Sequence, residues 1–315
     1  MNAVKVGLAG AGPWAELVHA PMFAAGPETE LAAIWARRPE AAGALAERYH
    51  VPVASSFTEL LSVCDAVAFA VPPAVQSVLA AQAVEAGRPV LLEKPIADNL
   101  ADAERLVDAI EKAGVVSMVT LTYRFATRIR SFLEQAKQFR ARGGRAVFLT
   151  NAYLGGAFAT EWRLTRGSLL DTGPHAIDLL EAAIGPVVGV SARHGEDQWT
   201  AVTLEHDNGA VSQVSLCSHT AVDPLRIEVE LYGSTGQMIV NVTEAMGEVF
   251  GDALISGDRP LGKAEAFSTL RAEFAEAVHS GVGHPLDARH GLHLQRIVEA
   301  AERDMARPAT AITEL

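Results

Sequence analysis

Twelve residues near the start constrain this chain more than any others. Val4-Lys5-Val6-Gly7-Leu8-Ala9 runs directly into Gly10-Ala11-Gly12-Pro13-Trp14-Ala15. A short apolar run ending in glycines reads as a parallel strand buried on both faces. The second run matches G-x-G-x-x-G/A, with Ala15 in the third position. Gly10 permits a tight turn, Gly12 lets a pyrophosphate approach the backbone, and a small Ala15 lets helix pack on strand. The helix that follows offers unpaired N–H groups and the positive end of its dipole to phosphate. Glycines often do no more than turn a chain, so the pattern gains weight from its strand–turn–helix setting.

The rest of the first part alternates strand with helix. Leu31–Trp35, Ala66–Ala70, Val90–Leu92 and Val115–Thr120 read as strands. Pro39–Tyr49, Ala74–Ala86 (closed by Gly87) and Leu100–Ala113 (closed by Gly114) read as helices. This order predicts a doubly wound parallel sheet. After residue 121 the pattern changes. Ala146–Tyr153, Val187–Arg193, Trp199–His206, Val211–His219, Arg226–Tyr232 and Met238–Val242 read as strands, joined in part by hairpin turns at Asp207-Asn208-Gly209 and Gly233-Ser234-Thr235-Gly236. Ile129–Arg140, His175–Ala183, Ala264–Ser280 and Arg289–Ala306 read as helices. The expected architecture is α/β: a dinucleotide-binding unit over 1–121, then an α+β unit over 122–315 with a mainly antiparallel sheet. The last helices are free to pack back on the first unit.

Composition narrows the function. The 315 residues are 49% hydrophobic and 20% charged, enough apolar side chain for two sizeable cores. A net charge of −12 argues against a nucleic-acid partner, though not against one phosphate held locally. The apolar window Val67–Ala86 is broken by Pro72-Pro73 and Gln76, so it reads as strand, turn and helix rather than a membrane span. The first residues lack the charged and long apolar regions of a signal peptide. Cys64 and Cys217, far apart in apolar runs, read as buried thiols in a reducing cytoplasm.

The end of the second strand bears on the cofactor. NAD readers place Asp or Glu about 20 residues past the fingerprint, for the ribose 2′-OH. This chain has Trp35-Ala36-Arg37-Arg38 there. Arg37 or Arg38 is suited to a 2′-phosphate, which favours NADP(H), with NAD(H) the alternative. Both arginines also read as solvated charges at a helix start.

Further motifs carry a family resemblance: His19-Ala20-Pro21, Asp65-Ala66-Val67 leading to Pro72-Pro73, Glu93-Lys94-Pro95, Tyr123-Arg124-Phe125, Trp162-Arg163, Leu169-Leu170-Asp171-Thr172-Gly173-Pro174-His175-Ala176-Ile177-Asp178, and Phe274-Ala275-Glu276-Ala277-Val278 near the end. With the glycine turn, and over nearly the whole chain, these resemble the Gfo/Idh/MocA family. The resemblance implies a Rossmann domain followed by an α/β domain with a large open sheet, through which the chain forms homodimers or homotetramers. It implies hydride transfer on sugars, cyclitols and related small molecules. It also implies that Val71, Pro72, Pro73, Gln76, Glu93 and Lys94 approach the cofactor, and that Tyr123, Arg124 and Trp162 line the substrate. Gln76 departs from the pattern, since the family often has His there; that exchange is expected to alter nucleotide contacts.

The residues permit the chemistry. Lys94 follows the C-terminal end of a strand, where open α/β sheets bind ligands, and it precedes a proline that holds it extended. A lysine there can relay a proton or polarise a carbonyl, although alone it also reads as a surface lysine beside a turn. Asp171 and His175 stand four apart where a loop enters a helix, with Pro174 in its first turn. The helix N-terminus disfavours a charged imidazole, so His175 is suited to general base, with Asp171 orienting or balancing His175 or Lys94. A capping aspartate and a core histidine are the plain alternatives. Asp178 reads as a first-turn charge or a substrate contact. Metal ligation by Asp171 with His175, or by His290 with His293, lacks a converging third ligand, so no metal is expected. A nucleotide sensor without catalysis is the competing function, and Lys94, Asp171 and His175 together argue against it.

Overall fold

The computed structural model describes residues 2–222, 225–247 and 264–308. The expected end of the second unit at 315 lies outside them. Strands β1 (Val4–Ala9), β2 (Thr29–Trp35), β3 (Ala66–Phe69), β4 (Val90–Leu92) and β5 (Ser117–Val119) form a wholly parallel sheet in the order β2-β1-β3-β4-β5. Strands β1, β3, β4 and β5 are buried almost throughout, as their apolar runs require, and edge strand β2 is buried at alternate positions over its first five residues. The order reverses between β1 and β3. Gly10 and Ala70 therefore end neighbouring strands at the switch point, where such sheets open a crevice.

Helices follow from local signals. A π-helical turn over Ala15–His19 leads into α1 (Ala20–Ala24). In α2 (Pro39–Tyr49) proline sits in the first turn. The short α3 (Phe57–Val63) is absent from the sequence reading. Its signal is the Ser56 N-cap, which accepts from the Glu59 N–H, while the Glu59 carboxylate accepts from the N–H of the preceding Ser55. Helix α4 (Pro73–Glu85) precedes β4. Asn99 caps α5 (Leu100–Ala113), which Gly114 ends in the left-handed region at φ 64°.

The second sheet has six strands: β6 (Ala141–Leu149), β7 (Val187–His194), β8 (Thr200–His206), β9 (Val211–Cys217), β10 (Arg226–Gly233) and β11 (Gly236–Asn241), in the order β11-β10-β6-β9-β8-β7. Every pair is antiparallel except β6–β9. Both hairpins form where their turn residues stand. Strand β6 begins five residues before Ala146 and stops before Tyr153. Gly143 and Gly144 obscured its start, yet Gly143 is needed there, since a Cβ would lie 2.7 Å from the Val211 carbonyl oxygen. Helices α6 (Thr127–Ala136), α7 (Glu161–Asp171) and α8 (Gly173–Ile184) pack on the second sheet and on one another, α8 lying on β6, β9 and β10. The sequence reading missed α7, whose pattern Gly167 interrupts at φ 75°. A short α9 (Val242–Ala245) follows β11.

The final helices return to the first sheet. In α10 (Glu265–Ser280), buried Arg271 donates to Glu28 and to the Met22 carbonyl oxygen. Before α11 (Ala288–Met305), the Leu286 carbonyl oxygen accepts from Val119 N–H of edge strand β5, and Ala288 N–H donates to Ser117. Gly291 lets α11 close on this edge, because a Cβ there would lie 2.6 Å from Ile96 Cγ2. Helix propensity alone favours alanine over glycine by about 1 kcal/mol. We expect Gly291→Ala instead to lower stability by about 1–3 kcal/mol through overpacking, with the penalty shrinking in an Ile96→Ala background. Urea denaturation of the four chains checks this, and an unchanged or raised midpoint for Gly291→Ala would contradict it.

Candidate active site

One cleft of about 510 Å³ runs from the glycine turn to the inner face of the second sheet. At one end lie Gly10, Gly12, Pro13 and Trp14, with Ala36, Arg37, Arg38, Val71, Pro72 and Pro73. Gly10 has φ 123°, and a Cβ there would meet the Ala70 carbonyl oxygen at 2.3 Å, so only glycine closes this turn. The space beside Gly12 is open, as a phosphate cradle requires. Arg37 and Arg38 are exposed at the cleft edge. These residues fit a dinucleotide. Ala15 is fully buried behind the turn, where its small side chain lets helix pack on strand.

Gln76 is also placed differently from expectation. It lies outside the cleft and is fully buried. Its Nε2 donates to the carbonyl oxygens of Glu93 (2.7 Å), Pro95 (3.2 Å) and Ile96 (3.1 Å), and its Oε1 accepts from Glu93 N–H at 2.8 Å. The side chain thus supplies the backbone partners of the Glu93-Lys94-Pro95 turn, whose Lys94–Pro95 bond is cis. Sequence gave no sign of this, because the partners are backbone groups brought close by the fold. Glu93 itself faces the glycine loop: its Oε1 accepts from Trp14 Nε1 at 2.7 Å and lies 2.9 Å from His19 Nε2. Trp14 also packs edge-on against Phe158 and Phe267.

At the far end of the cleft, Lys94 leaves β4 and Asp171 ends α7. Lys94 Nζ donates to Asp171 Oδ1 and to its carbonyl oxygen, each at 2.8 Å. Asp171 Oδ2 accepts from the Tyr153 hydroxyl at 2.9 Å and Arg163 Nε at 3.0 Å. The Arg163 guanidinium lies over the Trp162 ring, 4.6 Å from its centroid. Tyr153 and Arg163 were not singled out as site residues. Arg163 stood in a recognised motif, whereas Tyr153 looked like the end of a strand. Burial pushes the Asp171 carboxyl up, but the Lys94 and Arg163 charges, with hydrogen bonds from Lys94 and Tyr153, outweigh it and hold the group well below the carboxylate range. Asp171 is therefore a fixed anion. Burial and then the Asp171 charge push the Tyr153 and Tyr123 phenols up, so both stay protonated.

His175, the third residue of α8, lies edge-on to Tyr123 with ring centroids 4.7 Å apart. Burial is the main cause that depresses its pKa, Lys94 adds to it, and Asp171 opposes. Burial thus favours the neutral imidazole. Lys94, Asp171, His175, Tyr123 and Trp162 all line the cleft. Arg124 does not. It pairs with buried Asp178 at 2.7 Å, and Asp178 also lies 2.7 Å from His290 Nε2. Asp178 is thus neither a substrate contact nor a solvated first-turn charge. His293 lies 2.8 Å from Glu181, one turn along the same pair of helices. Among the described residues no group of three metal-type ligands converges.

Sheet, glycine turn and cleft define a dinucleotide-binding oxidoreductase architecture. The model of an oxidoreductase family with an NAD-binding Rossmann fold matches residues 4–121, and the GFO/IDH/MocA C-terminal domain matches residues 128–239. The chain belongs to the Gfo/Idh/MocA family. It is 29% identical over 202 residues to dTDP-3,4-didehydro-2,6-dideoxy-alpha-D-glucose 3-reductase of Streptomyces violaceoruber, a match covering 62% of this chain and 59% of that protein, less than two thirds of the reductase. It is 27% identical over 256 residues to D-apiose dehydrogenase of Rhizobium rhizogenes, covering 70% and 71%. The structure of GenD2 from gentamicin A biosynthesis in complex with NAD shares the fold, with TM-score 0.84 at 22% identity over 97% of this chain and 95% of that one. Levoglucosan dehydrogenase in complex with NADH and L-sorbose does so with TM-score 0.84 at 20% identity over 97% of each chain.

The buried neutral His175 makes stability depend on pH. The unfolded chain protonates this group near its ordinary value of 6.5, while the folded chain resists. The unfolded state then binds more protons as pH falls through that value, and folding stability drops. Between about pH 7.5 and about pH 5.5 the urea midpoint of the native chain is expected to fall further than that of His175→Asn. Equal falls would show that His175 is charged in the folded protein.

Proposed function

We propose that this protein transfers a hydride between a nicotinamide dinucleotide and a secondary alcohol or ketone of a sugar, cyclitol or similar small polyol. The observation that carries the reading is the Lys94–Asp171 pair beside neutral His175, in the same cleft as the glycine turn. The nicotinamide, when bound, supplies or accepts the hydride; the chain must orient the carbinol carbon and move the hydroxyl proton. Two of the three Lys94 N–H groups are taken by Asp171, which fixes its position, and the third is left for a substrate oxygen. His175, uncharged and close by, takes the hydroxyl proton in oxidation or returns it in reduction. Asp171 carries no proton; it holds Lys94 in place and balances its charge. Tyr153 and Arg163 hold Asp171. Trp162 and Tyr123 supply walls. The sugar reductase and sugar dehydrogenase among the relatives support this substrate class.

The reading favours NADP(H). Arg37 and Arg38 flank the nucleotide end, while of the cleft's acidic lining residues Glu93 is held by Trp14 and His19 and Asp171 by Lys94. The NAD and NADH complexes among the fold neighbours point the other way, but at 20–22% identity they do not fix residues at this position. Free, buried Cys64 and Cys217 support a reducing cytoplasmic setting. Assembly as a homodimer or homotetramer through the second sheet is supported by exposed Val211 and Tyr232, which share its outer face across Gly143. Among the described residues, no helix is long and apolar enough to cross a membrane.

Lys94→Ala should abolish turnover of any accepted polyol, read at the nicotinamide absorbance, while calorimetric cofactor affinity stays within about twofold; retained turnover would remove Lys94 from the mechanism. Replacing Arg37 and Arg38 together by Ser should weaken NADP binding by about 10–100-fold, a loss of about 1.5–3 kcal/mol for charge-assisted contacts, and leave NAD binding nearly unchanged. Equal losses for both nucleotides, or tighter NAD binding by the native chain, would reject the preference.

A further inference from the structure

Lys94 stands on a stretch of backbone that no strand or helix completes. Strand β4 ends at Leu92, and α5 starts at Leu100. Between them Glu93 and Lys94 are half-buried, and Pro95, Ile96 and Ala97 are buried. Buried backbone groups outside a ladder need partners from side chains. Two buried glutamines on different helices supply them. Gln295 of α11 takes Ala97 alone: its Nε2 donates to the Ala97 carbonyl oxygen at 2.9 Å, and its Oε1 accepts from the Ala97 N–H at 3.4 Å. Gln76 of α4 takes the Glu93 N–H and the carbonyl oxygens of Glu93, Pro95 and Ile96. Among the described residues those three carbonyl oxygens have no other hydrogen-bond partner.

The neighbours of Gln76 do different work. Pro72, Pro73 and Val75 line the nucleotide end of the cleft, and Gln76 does not. Its amide has two N–H donors and one carbonyl oxygen, and all are spent on residues that bracket Lys94. Gln76 therefore fixes the root of the lysine, while Asp171 fixes its tip through Nζ. An apolar side chain in place of Gln76 would leave one buried N–H and three carbonyl oxygens unpaired. The turn can regain partners only by shifting, and Lys94 moves with it. A displacement of about 1 Å at a reacting group costs about a hundredfold in rate.

We propose that Gln76 is a positioning residue of the reaction: through the backbone on either side of Lys94 it sets where Nζ meets Asp171 and the substrate oxygen, and it has no part in nucleotide affinity. This rests on the hydride-transfer reading above and deepens it. Gln295, which reaches only Ala97, supports the same segment without setting Lys94.

The test compares full-length native chain, Gln76→Met, Gln76→His and Gln295→Met. Turnover of any accepted polyol is read at the nicotinamide absorbance and NADP affinity by calorimetry. The rate at which a small acylating reagent labels Lys94, relative to exposed Lys112 of α5, is read by mass spectrometry; it needs no substrate. Gln76→Met should lower kcat by about 10–100-fold, leave the NADP Kd within about twofold, and speed Lys94 labelling by about fivefold or more. An imidazole offers one acceptor and one donor, so Gln76→His should fall between native and Gln76→Met in both kcat and labelling. Gln295→Met should lower the urea midpoint yet keep kcat and Lys94 labelling within about twofold of native. If Gln76→Met does not fold, Gln76→His decides alone: lower kcat with unchanged NADP affinity supports the proposal. Weaker NADP binding with kcat unchanged, unchanged Lys94 labelling in both Gln76 variants, or equal effects of Gln295→Met and Gln76→Met on kcat overturns it. Faster Lys94 labelling in a protein whose native chain turns over no polyol keeps the placement of Lys94 by Gln76 and rejects hydride transfer. Native turnover with kcat and labelling untouched by the Gln76 variants keeps hydride transfer and rejects this inference.

Discussion

A single carboxylate ties the working parts of this protein together. Asp171 accepts from Lys94, Tyr153 and Arg163, and those donors come from the parallel sheet, from the loop after β6 and from α7. A buried carboxylate is tolerated only when its oxygens are paired. Withdrawing one partner from such a buried pair commonly costs about 3–5 kcal/mol, because the other charge is left stranded. The same requirement that satisfies Asp171 fixes Lys94 at the end of β4 and draws the second unit over the mouth of the first. Stability and geometry of the site are here one constraint.

Glu93 and Lys94 divide the work of a short turn. Glu93 reaches back to Trp14 and His19 in the first helix, while Lys94 reaches across to Asp171. Gln76 holds the backbone between them from beneath. On the other side, Trp14 meets Phe158, the Arg163 guanidinium lies over Phe158 and Trp162, and Arg163 returns to Asp171. The nucleotide end and the reacting end thus share one connected rim of aromatic, charged and hydrogen-bonded contacts. Buried Asp178 with half-buried Arg124 and His290 forms a separate cluster that anchors α11 to α8, away from the chemistry.

Local rules reached far in this chain. The glycine turn, the caps of α5, the proline starts of α2 and α8 and both hairpin turns lie where residue type and spacing place them, since each depends on neighbours within a few residues. The misreadings share a cause. In β6, Gly143 and Gly144 mimic a turn, yet they are required because β9 and β10 approach closely. Gly167 breaks the apolar rhythm of α7. Arg124 and Gln76 belong to motifs that elsewhere in the chain line the cleft, but each is taken by partners more than fifteen residues away.

By itself the sequence determined that a parallel α/β unit with a phosphate-cradling turn would precede a mainly antiparallel sheet. It also singled out Lys94, Asp171 and His175 as the residues most able to move protons. Periodicity and backbone stereochemistry act over a few residues and are written in order along the chain. Only the tertiary structure decided that Asp171 is a fixed anion rather than a proton carrier, and that burial keeps His175 neutral. It alone joined Tyr153 and Arg163 to the site. Charge state depends on desolvation and on partners distant in sequence. Neither exists until the two sheets have closed on each other.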